Sequence, residues 1–464
     1  MRYVSTRGRA PALDFEGAML SGLARDGGLY VPERLPASTP RDLAALAGLT
    51  YEEAAFRVMR PFVGDAFDDD AFRGLVEAAY ADFGHAARAP LVQVGENDWI
   101  LELHHGPTLA FKDFAMQLIG RLFEAALSRA GRRATIVGAT SGDTGSAAIE
   151  AFRGNAAVDV FVLYPQGRVS EVQRRQMTTP PEDNVHAVAV EGDFDDCQAL
   201  VKAMFNDFEF RDAVNLAAVN SINWARVLAQ TVYYFTSAVA LGAPYRSISY
   251  CVPTGNFGDV YAGYVARRMG LPIERLVVAT NRNDILHRTI QSGDHRRAGV
   301  APTTSPSMDI QVSSNFERLL FDLADRDGGR VDDLMRELRE AGGFRLSNAM
   351  HARLREDFDS GMATDDDVAA TIAAMLDVAG QVIDPHTACG VKAASDARGD
   401  PATPMVVLGT AHAAKFPDAV EAACGVRPAL PERLADLYQR AERVLQAPND
   451  LAEIETIIKE RTRA

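Results

Sequence analysis

A chain of 464 residues, 47% hydrophobic and 24% charged, is the length of two or three globular domains. Its net charge of −15 argues against nucleic acid or an anionic membrane as a partner. No apolar run reaches the length of a membrane span, the first thirty residues lack the core of a signal peptide, and Cys197, Cys251, Cys389 and Cys424 form no CxxC; free thiols in the cytoplasm are expected.

In chain order, residues 1 to about 85 read as a small module of their own. Arg25 to Pro32 is a turn and a short extended piece, followed by helical patterns at 41–49, 51–62 and 69–83. Nothing in it looks like chemistry, so a cap or interface role is expected. From about residue 90 the texture becomes strand, glycine turn, helix. Trp99–Leu103, Ala134–Ala139, Val158–Tyr164, Val185–Val190, Ser247–Val252, Leu276–Thr280 and Pro404–Leu408 read as strands, with helices between most of them. This alternation predicts a parallel sheet with helices on both faces. Helical patterns dominate from Phe316 to about Leu376, and the last thirty residues read as a charged, helical surface tail.

His104 to Phe114, HHGPTLAFKDF, holds one lysine in otherwise apolar or turn-forming company. Phe114, Leu118 and Leu122 recur at four-residue steps, so a helix begins just after Lys112, with Asp113 in its first turn. A lysine walled by Phe111 and Phe114 has its charged form disfavoured, and its neutral amine becomes a nucleophile. The competing reading is a solvated lysine whose stem covers apolar surface.

Three further turns offer donors where strands end. In PTGNFGD, Gly255 and Gly258 flank Asn256 and Phe257 ahead of a helix, a phosphate cradle in which Asp259 is an odd neighbour that could instead orient the loop. TSGDTG supplies Thr140, Ser141, Asp143 and Thr144 with two glycine amides, suited to a carboxylate or a phosphate, or to plain helix capping. TAHAAKF places Thr410 after a strand, in the crevice where open α/β folds bind ligands. The chain contains no P-loop, GxGxxG, HExxH or GxSxG string, and no metal site is expected.

Together HGPTLAFKDF, TSGDTG, SINWAR (Ser221–Arg226), PTGNFGD, SPSMDIQVSSNFERLLF (Ser305–Phe321), DPHTACG (Asp384–Gly390) and GTAHAAKF resemble the threonine synthase family, in order and over most of the chain. The GLARDGGLYVP string, Gly22 to Pro32, resembles the family's N-terminal domain. The resemblance implies an α/β, fold type II pyridoxal 5'-phosphate enzyme with two parallel-sheet lobes. It implies an N-terminal domain over 1–88, a catalytic core over 89–430 with the smaller lobe nested at about 113–240, and a C-terminal helical tail over 431–464. It makes Lys112 the Schiff-base lysine, Gly255, Asn256, Phe257, Gly258 and Asp259 the cofactor-phosphate loop, and Thr410 the residue facing the pyridine nitrogen. Thr140, Ser141, Asp143 and Thr144 would take the substrate carboxylate, and Asn223 and Arg226 its phosphate. The implied reaction turns O-phospho-L-homoserine and water into L-threonine and phosphate by γ-elimination and β-replacement, in a monomer or homodimer. Two alternatives stay open: a phospholyase releasing 2-oxobutyrate, and a non-catalytic protein that binds the same cofactor.

Overall fold

The computed structural model describes residues 1–464. Two sheets organise the molecule. The larger has six strands in the order Phe358–Met362, Ile273–Thr280, Ile248–Pro253, Met405–Gly409, Asp98–Glu102 and Leu91–Gln93. Its first five strands are mutually parallel and only the last pair is antiparallel. The smaller has five parallel strands in the order Leu445–Ala447, Val185–Val190, Val158–Pro165, Ala134–Ala139 and Leu216–Ala217. Val158–Pro165 is buried along its whole length, as its near-continuous apolar run requires of a central parallel strand.

Helix starts follow local chemistry. Ser170 and Gln173 form a capping box ahead of the Glu171–Thr178 helix, and Asp193 with Asp196 does the same for Phe194–Asn206. Several helices instead begin without any side-chain cap, among them Lys112–Arg129 after Phe111 and Gly258–Arg268 after Phe257. Both open onto the cleft between the sheets; Asp113 N and Phe114 N of the first are spent on Ala110 O and Phe111 O, whereas the amide at the start of the second has no backbone acceptor and is available to a ligand.

The N-terminal module pairs Tyr3–Ser5 with Tyr30–Pro32, packs its Asp69–Tyr80 helix on the Lys112–Arg129 helix and sets its other helices against Trp224–Ala240. The Tyr51, Tyr80 and Phe83 rings lie 5.4, 6.0 and 4.7 Å from the ring of Phe114, and Tyr233 closes the group at 5.5 Å. Phe114 is fully buried there. It therefore does not wall Lys112: two residues apart on a helix, the side chains leave opposite faces. Phe111 alone stacks near the amine, with Nζ 4.8 Å from its ring centroid.

Besides the three-residue strand Gly343–Arg345, which pairs with Asp294–Arg296, two stretches differ from the expectation of helix. Phe358–Met362 forms an edge strand, Leu276 opposite Phe358, inside the region expected to be helical. Near the C-terminus, Leu445–Ala447 adds an edge strand beside Val188–Val190, and the Leu451–Arg461 helix buries Ile454 and Ile458 completely. The end of the chain is thus part of the smaller lobe's core, not a surface tail. Both strands are short, and neither has room to display a period of two.

Candidate active site

A cleft at the C-terminal ends of the larger sheet's strands is lined by Phe111, Lys112, Asp143, Thr144, Ser221, Arg226, Gln230, residues 253–259, Ser307, Met308, His386 and Thr410. A β-bridge between Ala110 and Ala411 holds the Lys112 loop against the Thr410 segment, and Phe111 N donates to Thr410 O at 2.9 Å. The same loop is fastened from within: Asp113 accepts from Thr108 N at 2.8 Å and Thr108 Oγ1 at 2.7 Å. Burial, against these two bonds, raises the Asp113 carboxyl to about 6.

Lys112 is buried, with Nζ 3.1 Å from Asp143 Oδ2. Burial pushes its pKa down, and Lys415 and Arg226 add to that against the pull of Asp143. Asp143 is the hub of the site. Besides Lys112 it accepts from Lys415 Nζ at 2.7 Å, Gln173 Nε2 at 2.9 Å and Ser307 Oγ at 3.3 Å. Burial opposes its charge, but Lys112, then Lys415 and His386, outweigh it and hold the carboxyl well below the usual range. A carboxylate so engaged cannot take a substrate carboxylate; it organises the two lysines.

The glycine loop is built as an anion receptor. Gly255 O accepts from Ser313 Oγ at 2.7 Å, and Asn256 O accepts from Asn315 N at 3.0 Å and Nδ2 at 3.1 Å. With the carbonyls pinned on that side, the amides of Gly255, Asn256, Phe257 and Gly258 find no backbone acceptor. A Cβ on Gly255 would lie 2.8 Å from Ser307 O, so the close approach of these turns requires glycine. Asp259 turns away from this duty: its Oδ1 accepts from Tyr233 and Tyr234 hydroxyls at 2.6 and 2.9 Å, while Oδ2 has no partner. Burial lifts its carboxyl to about 6, against the two tyrosine bonds and Lys112.

A second receptor faces the same cleft. Arg226 is buried, and its Nε and Nη1 have no hydrogen-bond partner. An unpaired guanidinium in a buried site is costly unless an anion completes it. Asn223, expected beside it, is elsewhere occupied: its Oδ1 caps the Trp224–Ala240 helix at Ala225 N, and its Nδ2 donates to Met19 O at 2.7 Å. Gln230, one turn beyond Arg226, and Ser221 line the cleft in its stead. In TSGDTG, Thr140 Oγ1 accepts from Gly142 N and Gly145 N and shapes the turn, Thr144 lines the cleft, and half-buried Ser141 stands just outside it. Of the residues expected at the site, the structure gathers Lys112, Asp143, Thr144, Arg226, Gly255, Asn256, Phe257, Gly258, Asp259 and Thr410 on one cleft. Lys415 and Ser307 went unread, although both lie in motifs the sequence displays.

A buried amine, an uncapped glycine loop and an unsatisfied guanidinium between two parallel sheets suit a phosphorylated aldehyde cofactor and an anionic substrate. This is the arrangement of a fold type II pyridoxal-phosphate enzyme, and residues 85–337 match the family of pyridoxal-phosphate-dependent enzymes. Residues 2–80 match the threonine synthase N terminus and residues 387–458 the threonine synthase C-terminal region. The chain is 54% identical to threonine synthase of Pseudomonas aeruginosa over 461 residues, covering 99% of this chain and 98% of the relative. The fold superposes on PLP-bound threonine synthase from Brucella melitensis with a TM-score of 0.97 and 56% identity, over 100% of both chains. It superposes on the yeast threonine synthase at 0.94 and 40% identity, over 99% and 98%. The chain belongs to the threonine synthase family.

Proposed function

We propose that this chain converts O-phospho-L-homoserine and water to L-threonine and phosphate, with Lys112 as covalent anchor of pyridoxal 5'-phosphate and as proton carrier. The observation that carries this reading is the meeting, in one cleft, of a single amine with depressed basicity and two separate anion receptors. One receptor suits the cofactor's phosphate and the other a phosphorylated substrate.

Bound cofactor supplies the electron sink that makes protons of the substrate acidic. The chain supplies position and proton transfer. Amides of Gly255 to Gly258 and the start of the Gly258–Arg268 helix would hold the cofactor phosphate. Thr410 would offer the ring nitrogen a hydroxyl, a group that does not hold such a nitrogen firmly protonated. Thr144 and Ser141 take the substrate carboxylate. Arg226, assisted by Gln230 and Ser221, holds the substrate phosphate until it leaves the γ carbon. Lys112, once released, would remove the proton at the α carbon and then serve the β carbon, where water adds; an amine whose basicity burial lowers is suited to both transfers. The four free cysteines and the acidic balance support a cytoplasmic enzyme acting on a small molecule.

The test is product analysis: phosphate, threonine and 2-oxobutyrate followed together from O-phospho-L-homoserine. Threonine equal to phosphate is expected; 2-oxobutyrate equal to phosphate would replace this reading with a phospholyase.

A further inference from the structure

Lys415 is the most deeply buried charged side chain at the site, with no exposed surface, and it does not line the cleft. Its Nζ makes two contacts, to Asp143 Oδ1 at 2.7 Å and to Thr108 O at 2.8 Å. Thr108 O also accepts from Gln176 Nε2 at 3.1 Å, and Thr108 is itself fastened to Asp113 on the Lys112 helix. Lys415 is therefore framed on both sides, and it meets Asp143 on the oxygen that Lys112 does not use.

This geometry addresses a problem inherent in the site. A buried ion pair that loses one member leaves an uncompensated charge, a strongly unfavourable state. Lys112 must lose its charge to act as nucleophile or base, and were it the sole partner of Asp143, each discharge would strand the carboxylate. We propose that Lys415 is the resident counter-ion of Asp143, a positioning residue that keeps this carboxylate ionised and in place while the Lys112 nitrogen gains and loses its proton. The proposal rests on the reading of Lys112 as the cofactor's anchor. The other charged groups facing this arrangement are Arg226 and Asp259, which act on Lys112, His386, which acts on Asp143, and the buried carboxyl of Asp113, which feels Lys415.

The sign of the effect is fixed by the arrangement. Lys415 repels a proton on Lys112 directly and takes a share of the Asp143 charge that would otherwise hold that proton. Removing the Lys415 charge must make the Lys112 nitrogen more basic. In the full-length holoenzyme the visible absorption of the bound cofactor follows protonation of that nitrogen, and its pH midpoint is the readout. Lys415→Met should move the midpoint up by roughly one to three units. Lys415→Arg should leave it near the wild-type value, and Lys415→Met with Asp143→Asn should bring it back down. Lys415→Gln removes the charge while keeping a donor for Thr108 O, and it serves if the methionine variant does not fold. An unchanged midpoint in a folded, cofactor-loaded charge-removal variant would overturn the proposal. Borohydride reduction of the wild-type holoenzyme, followed by peptide mapping, separates this failure from failure of the anchor reading. Cofactor fixed on Lys112 keeps that reading whatever the midpoint does, whereas cofactor fixed on Lys415 would sink both.

Discussion

Arg318 donates from Nε and Nη2 to the carbonyl oxygen of Tyr30, at 3.2 and 3.0 Å, and so ties the N-terminal module to the cofactor side of the cleft. The same guanidinium reaches Ile222 O at 2.5 Å and the side chain of Asn315. Asn315 in turn donates to Ser221 O and Asn256 O, at 2.9 and 3.1 Å. One buried arginine thus links the first sheet of the chain, the SINWAR segment and the glycine loop. The module without chemistry of its own buttresses a loop that has it.

Replacing Arg318 with methionine should therefore weaken both the fold and the cofactor site. Two buried carbonyls would lose their donor, at about 1–3 kcal/mol each. A fall in unfolding free energy of about 2–5 kcal/mol is expected, with looser cofactor binding by equilibrium dialysis. Loss of stability with unchanged cofactor affinity would show that the strut does not reach the loop.

Lys112→Ala should abolish turnover and the colour of covalently held cofactor while leaving the fold nearly as stable. Asp143 would keep Lys415, Gln173 and Ser307 as partners, so removing Lys112 does not orphan it. Thermal unfolding of the cofactor-free protein checks the second half of the claim. A large drop in melting temperature would mean that Asp143 depends on Lys112.

The glycine loop makes a sharper steric prediction. In Gly255→Ala the new methyl would lie 2.8 Å from Ser307 O and 3.4 Å from Met308 Cα, both backbone, so the facing turn has to move. A loss of at least about tenfold in cofactor affinity is expected, equivalent to about 1.4 kcal/mol. Gly74→Ala, in the open on the Asp69–Tyr80 helix, is the matched control and should stabilise by about 0.5–1 kcal/mol. Equal effects at the two positions would sink the steric argument.

Much of this site was legible because its parts are local. A strand running into a glycine turn and then a helix shows in any ten residues, and Lys112 stands out once the other motifs accompany it, since its own stretch fits a solvated lysine as well. What escaped is long-range. Lys415 looks like an ordinary lysine in TAHAAKF until the fold brings it to Asp143 and Thr108. Asp143 read as a ligand for substrate because its two lysine partners were not visible from TSGDTG. Asn223 read as a phosphate donor because SINWAR does not reveal that Met19 O will claim its amide. Phe114 falls on the far side of its helix from Lys112 because the aromatic residues that draw it, Tyr51, Tyr80 and Phe83, lie in the N-terminal module.

His295 makes the fold acid-sensitive. Its ring is stacked between Phe316 and Phe344, at 5.1 and 4.7 Å, and Nδ1 meets the Thr289 hydroxyl at 2.8 Å. Burial, aided by Arg288, pushes its pKa from 6.5 down to about 3. Between those values the unfolded chain binds the proton and the folded chain does not. The contribution is complete above the unfolded value and is lost as pH falls through the window. Between about pH 7 and about pH 5 the loss from this group is on the order of 2 kcal/mol. Urea unfolding at both pH values should show that dependence reduced by a similar amount in His295→Gln. An equal slope in the variant would mean the ring is already protonated in the folded state.

Arg226 sets stability against function. Its guanidinium is buried, two of its nitrogens lack partners, and burial lowers its pKa to about 10. A guanidinium held in a buried site without a protein partner is a cost to the fold. Replacing it with methionine, of similar length and no charge, should raise the unfolding free energy by about 1–3 kcal/mol. The same change removes the donors proposed for the substrate phosphate, and loss of charge-assisted hydrogen bonds should cut kcat/KM by roughly a hundredfold or more. With cofactor occupying the glycine loop, added inorganic phosphate should raise the melting temperature of wild type and leave the variant unmoved. A variant that is less stable than wild type would show that Arg226 serves the fold; one that is more stable and fully active would show that the substrate phosphate is held elsewhere.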